Sequence, residues 1–288
     1  MMTLSRRGFL GNSAMGLASV AVARELMAAE GEAPKIRIST RPMSGNLESV
    51  KKAGIEGVEV GVGGPKDTLD IADPARRAKI KEQMKATGVV VSSLSMDLLN
   101  GNPVATDPRG PAWLDQCIEA AKDLGAVGIL VPFFGGKSSL RDGKGLIKER
   151  VDALAERMKV AGPKAKAAGV TLGLENTCSG KQNLEILDAI GCEGVACYYD
   201  IGNSTGAGYD VPAELRALKG RLGPCMHFKD GGSYLGEGKV KMEPVAEALK
   251  AIGYTGWIVL ETSCPSKDAV ADCKRNADYI RKLMGIGA

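Results

Sequence analysis

Short apolar runs closed by glycine or a polar residue alternate along this chain with longer helix-like stretches. The runs predict strands at 35–40, 57–62, 89–96, 127–133, 170–175, 195–200, 224–228 and 257–261. The stretches between them predict helices near 47–53, 74–87, 111–124, 145–168, 184–190, 212–219, 243–252 and 267–284. Several of these open on proline and close on glycine, as at Gly88, Gly125 and Gly253, which is the start and stop chemistry of a helix. Eight strand-then-helix units in about 250 residues match the size of a closed parallel barrel. The predicted class is therefore α/β, a (β/α)8 TIM barrel. A doubly wound open sheet is the alternative, but no GxGxxG follows the first strand.

Residues 1–29 read differently. Ser5-Arg6-Arg7-Gly8-Phe9-Leu10 precedes a mildly apolar stretch from Gly11 to Ala23, the pattern of a twin-arginine export signal. Cleavage is expected at Ala21-Val22-Ala23 or a few residues later, near Ala28-Ala29. The stretch is short and interrupted by Asn12 and Ser13, so it makes a poor membrane span, which needs about 20 predominantly apolar residues. The expected organisation is a removed signal peptide at 1–29 and one barrel domain at 30–288, with no linker dividing it. The implied route is the twin-arginine translocase, and the implied location is periplasmic or otherwise extracytoplasmic. That route carries folded proteins, often with a cofactor in place, which hints at a metal or cofactor.

Composition removes several functions. Lys and Arg number 38 against 34 Asp and Glu, giving +4, and aromatics are 4%. That balance lacks the basic footprint of a nucleic-acid binder, and so few aromatics make a base-stacking platform improbable on composition. The seven cysteines are odd in number and contain no CxxC, against a zinc ribbon or thioredoxin-type site. A Cys178–Cys264 disulfide is compatible with the sequence, each lying three residues after a glutamate of interest. Barrels of this size often pair, and a homodimer is expected on that general ground alone.

The chemistry gathers where apolar runs end. In a parallel barrel the active site is built at the C-terminal ends of the strands. Four consecutive predicted strands end in metal-ligand types: Glu175, Asp200, His227 and Glu261. Carboxylates closing apolar strands are costly to desolvate unless paired or bound to a cation. Three carboxylates and one imidazole suit one divalent ion, Mn²⁺, Mg²⁺ or Co²⁺, and are compatible with Zn²⁺. His227 is the only histidine in the chain, and its place between the strands of Asp200 and Glu261 favours the metal role over a structural one.

At these residues the chain resembles a known family. LGLEN at 172–176, YDIGN at 199–203, MHFKD at 226–230 and the long run at 235–261 are similar to the xylose isomerase-like barrels called sugar phosphate isomerases/epimerases. The resemblance runs from about residue 35 to the end of the chain. It implies that Glu175, Asp200, His227 and Glu261 are metal ligands, and that Glu175 and Glu261 are the catalytic pair handling protons on opposite faces of a ketose. Two positions depart from the family. Asn203 stands where many members carry a substrate-contacting histidine, and Lys229-Asp230-Gly231-Gly232-Ser233 stands where the epimerases place a substrate-binding arginine. The multi-zinc endonucleases of the same fold need several histidines, so that branch does not apply.

The expected function is a secreted, divalent-metal-dependent sugar isomerase or epimerase. A cation holding an α-hydroxycarbonyl would make the neighbouring C–H acidic, with Glu175 or Glu261 as base. The partner is then a small-molecule sugar or glycoside, more fittingly unphosphorylated outside the cytoplasm. If a leaving group sits β to the carbonyl, the same carbanion makes the enzyme a 3-keto-glycoside lyase. A metal-dependent hydrolase and a carbohydrate-binding barrel without turnover are the remaining readings. The expected substrate contacts are Asn203, Lys229, Asn176, Glu59 and Phe134, with Phe133-Phe134-Gly135-Gly136 as a sugar platform. Glu59 is alternatively an orienter of a ligand or the partner of a nearby cation, and Asn176 a support for the glutamate beside it.

Overall fold

Parity along each strand decides what this barrel points at its own axis. The computed structural model describes residues 36–41 and 46–287, so the leader expected at 1–29 lies outside the described residues. Contacts gather Lys35–Ala288 into one unit. Eight parallel strands form its sheet: β1 (Arg37–Thr40), β2 (Gly57–Gly61), β3 (Val90–Ser95), β4 (Gly128–Pro132), β5 (Thr171–Glu175), β6 (Val195–Cys197), β7 (Cys225–Phe228) and β8 (Trp257–Leu260). Their hydrogen-bonded order is β6-β5-β4-β3-β2-β1-β8-β7, the sequence order of a TIM barrel with β1 against β8.

The seam between β6 and β7 closes irregularly. The His227 N–H donates to Tyr199 O (2.9 Å) and the Gly223 N–H to Cys197 O (2.8 Å), and Asp200 and His227 form an isolated parallel bridge. The strand expected at 195–200 is therefore shorter, because the chain leaves the ladder after Cys197. Asp200 becomes the N-cap of a short helix, Ile201–Gly206, absent from the sequence reading, and accepts from the Asn203 N–H (2.8 Å).

Helices follow the strands much as predicted. Pro74–Thr87 is capped by Asp73 and stopped by Gly88 at φ 78°. Gly180–Ile190 begins a turn before expectation because Ser179 and Gln182 form a reciprocal capping box. Lys148–Ala167 begins later than expected, since Asp142 accepts from the Lys144 and Gly145 N–H groups and turns Arg141–Asp142 back on Gly145–Leu146 as a small hairpin.

Two apolar layers result from the period-two alternation of the strands. The large one lies between sheet and helices and includes Ile38, Leu94, Ile129 and Ile258. The small one, with Leu130, Tyr198, Cys225, Trp257 and Val259, fills the barrel interior, where glycine makes room. A Cβ on Gly57 would lie 2.6 Å from the Trp257 ring, and one on Gly173 2.7 Å from Tyr198. All seven cysteines are free thiols, with Cys178 buried and Cys264 exposed. The Cys178–Cys264 disulfide is thus not formed. No helix among the described residues is long and apolar enough to cross a membrane.

Candidate metal centre

Above the interior layer, the same parity turns a polar set inward at the strand ends. Gly173 and Glu175 alternate on β5, Cys225 and His227 on β7, and Trp257 and Val259 on β8, with Glu261 next in phase. The four predicted ligands converge as the sequence suggested. Glu175, Asp200, His227 and Glu261 each offer an atom within 4.8 Å of the others. His227 Nδ1 lies 3.1 Å from Glu175 Oε1, 3.4 Å from Glu261 Oε2 and 3.8 Å from Asp200 Oδ2.

This donor set fits a hard divalent cation. Three carboxylates crowd one imidazole nitrogen in a largely buried space, which is unfavourable without positive charge. Asp200 Oδ2 is buried and accepts no properly directed hydrogen bond, although the Lys229 ammonium stands 2.7 Å away. Three carboxylates and a single imidazole could thus hold one metal ion.

Proton affinities reflect the crowding. Burial pushes the Glu175 carboxyl up to about 7; His227 opposes the rise, while Asp200 and Glu261 add to it. Burial also disfavours a charged Glu261, but His227, Lys229 and Arg41 hold its carboxyl below the usual range. Burial works against imidazolium at His227, yet Glu175 and Glu59 raise its pKa well above the ordinary value. Proton and metal compete for such a nitrogen.

Of the places expected for Glu59, the structure gives it that of an orienter beside a candidate ligand. It is fully buried behind His227, so it is a support for that ring and does not reach a sugar. A register irregularity in β2 sets it opposite Ser93 of β3. Its Oε2 accepts from Ser93 Oγ (2.8 Å) and Tyr198 OH (2.7 Å), while Oε1 lies 3.2 Å from His227 Nε2. Burial opposes its ionisation, but His227, Arg41 and Tyr198 hold its carboxyl down at about 2. A carboxylate there holds a proton on Nε2, so that the proton a cation would displace is the one on Nδ1, the nitrogen facing the three carboxylates.

Asn176 is likewise a support. Its amide donates to Asn183 Oδ1 (2.9 Å) and accepts from the Cys178 N–H (2.8 Å), engaging both ends in the loop after β5. Asn203 does reach the cluster, with Nδ2 3.4 Å from Glu175 Oε1. Lys229 reaches it too: Nζ donates to Glu261 Oε2 (2.5 Å), and its stem crosses Gly202, where a Cβ would collide with it. Burial lowers the Lys229 pKa less than Asp200 and Glu261 raise it, to about 12. Phe134 is half-buried at the rim, next to Phe133, whose N–H donates to Glu175 O (2.8 Å).

Sequence reasoning missed Arg41. Its guanidinium donates to Glu261 Oε1 (2.7 Å) and Asp97 Oδ2 (2.5 Å), with Nε 3.6 Å from Glu59. The signal was available, since Arg41 directly follows an apolar strand, the rule that found the other site residues. Tyr198 gave no such signal; its ring meets the His227 ring edge-on at 4.8 Å.

Residues 47–283 match the protein family described as "Xylose isomerase-like TIM barrel". The L-ribulose-5-phosphate 3-epimerase UlaE of Escherichia coli (strain SMS-3-5 / SECEC) is 27% identical over 259 residues, covering 83% of this chain and 88% of that protein. The solved structure of an L-ribulose 3-epimerase superposes with a TM-score of 0.71 at 22% identity, over 87% of this chain and 95% of that one. The 3-keto-D-glucoside 4-epimerase YcjR from E. coli does so at 0.70 and 16% identity, over 86% and 100%. A Methylomonas sp. D-allulose 3-epimerase in complex with D-allulose gives 0.69 at 17% identity, over 87% and 98%. By name, these similar proteins are sugar epimerases.

Proposed function

The chain belongs to the xylose isomerase-like TIM barrel family, and from that premise we propose that it is a divalent-metal-dependent sugar epimerase or isomerase that removes a proton next to a sugar carbonyl. One observation carries the proposal. Two glutamates from strands three places apart, Glu175 on β5 and Glu261 after β8, meet at one point with Asp200 and His227.

Glu175, Asp200, His227 and Glu261 would hold the ion. When bound, the ion would polarise the substrate carbonyl and stabilise the negative charge that develops on proton loss. Glu59 keeps His227 in the ligating tautomer. Glu175 and Glu261 approach a substrate carbon from different sides, so one takes the proton and the other returns one. Return to the opposite face of that carbon inverts it; return at the neighbouring carbon converts ketose to aldose. Lys229 and Asn203 sit beside Glu261 and Glu175 respectively, and are assigned to substrate oxygens, with Phe134 at the rim as an apolar platform.

The leader reading adds that the enzyme works outside the cytoplasm, exported by the twin-arginine route. The central test is a proton NMR time course in deuterated buffer with Mn²⁺ or Mg²⁺, against ketoses and 3-keto-glycosides. Loss of one carbon-bound proton signal is expected, and its absence from Glu261→Gln and Glu175→Gln. Release of an aglycone would redirect the assignment to a lyase. Exchange at no carbon, with metal bound, would refute proton abstraction and favour hydrolysis or sugar binding.

A further inference from the structure

Resting on the epimerase reading, we infer that the substrate is an uncharged carbohydrate and that the site discriminates against sugar phosphates. Barrels of this architecture commonly hold phosphate with backbone N–H groups of the loops after β7 and β8 and with a helix N-terminus. Here several of those donors are taken up by the chain's own carboxylates. Asp230, buried and next to Lys229, accepts from Gly236 N–H (3.1 Å), Gly238 N–H (2.9 Å) and Val240 N–H (2.9 Å), so that the loop after β7 is wound around it. After β8, Asp272 accepts from the Ser266 N–H (3.0 Å) and hydroxyl (2.6 Å). Asp268 takes the Val270 (3.1 Å) and Ala271 (3.0 Å) N–H groups that open the last helix, Ala269–Met284. At these positions a phosphate would meet a carboxylate in place of a bare donor.

The side chains at the barrel mouth point the same way. Two part-buried cations there are shared among carboxylates: Arg41 by Glu261, Asp97 and Glu59, Lys229 by Asp200 and Glu261. Glu59, Asp97, Glu175, Asp200 and Glu261 outnumber Arg41 and Lys229, so that with a divalent ion and a neutral His227 these groups sum to one net negative charge. A phosphate dianion is repelled by that balance, whereas sugar hydroxyls are served by Asn203, Lys229 and carboxylate oxygens. Residues 42–45, Pro-Met-Ser-Gly, add no cation. Arg141, in the hairpin after β4, is part-buried and has no carboxylate partner among the described residues, so the test includes it.

The experiment compares a free ketopentose and a free ketohexose with their terminal phosphate esters, at matched free Mn²⁺. Deuterium exchange gives kcat/KM, and ligand-observed NMR gives binding independently of turnover. The free sugars are expected to exceed their phosphates at least about tenfold in both readouts. Binding of the free sugar in preference to its ester, without exchange of either, would support this inference while refuting the epimerase reading. Tighter binding of the ester, or binding of neither class, overturns it; an ester preference that vanishes in Arg141→Gln would also name the residue responsible.

Discussion

Replacing Glu59 by glutamine changes no shape and touches no substrate, yet it should weaken metal binding. In the native protein both carboxylate oxygens accept: Oε2 from Ser93 and Tyr198, Oε1 toward His227 Nε2. A glutamine has one accepting oxygen. If that oxygen stays with the two hydroxyls, the amide NH₂ faces Nε2, which must then accept, and the ring proton moves to Nδ1, the nitrogen that faces Glu175, Asp200 and Glu261. If the amide turns over, the tautomer survives but the Ser93 and Tyr198 hydroxyls lose their acceptor. Two neutral hydrogen bonds are worth about 1–3 kcal/mol together, which caps the penalty for keeping the tautomer. The expected outcome is a Kd for Mn²⁺ weaker by about 10- to 100-fold, or roughly 1.4–2.8 kcal/mol. Isothermal titration of chelator-treated protein near pH 7.5 reads it directly, with circular dichroism showing that the variant is folded. A Kd within about twofold of the native protein would refute the argument that Glu59 sets the tautomer.

Three further outcomes are expected. Gly173→Ala drives a methyl against Tyr198, 2.7 Å from its ring; calorimetry should show a loss of about 1–3 kcal/mol, and an unchanged Tm would mean that Tyr198 has room to move. Asp272 is held at about 2, because hydrogen bonds from Ser266, Tyr234 and Cys264 outweigh burial, which alone would raise it. That folded value lies below the unfolded one, so its stabilisation is complete above about pH 4 and is lost as the pH falls toward 2; Asp272→Asn should flatten the acid limb of Tm against pH, and parallel curves would contradict this. Replacing Arg6 and Arg7 together by lysine should retain the protein in the cytoplasmic fraction on immunoblots, whereas undiminished export would refute the twin-arginine reading.

Much of the site was legible because its signals are local. An apolar run with period-two parity forms a strand wherever it lies, and the polar residue that closes it in phase sits at the barrel mouth. That rule found Glu175, Asp200, His227 and Glu261, and applied to β1 it would have found Arg41. It could not find Tyr198, which resembles any buried aromatic, and it left Glu59 and Asn176 open between sugar contact and support.

What the sequence by itself determined is therefore the order of strands and helices and the face on which each strand-end group lies, since parity, capping and glycine stops act within a few residues. Tertiary structure decided the rest. Arg41 and Glu261 are 220 positions apart, and they meet only because β1 pairs with β8 to close the sheet. Glu59 faces Ser93 because of an irregularity in the β2–β3 register, and Asp200 reaches His227 because β6 ends early at the seam. Register and closure are set by the packing of the whole interior around residues such as Trp257 and Tyr198, and no stretch of chain carries that information alone.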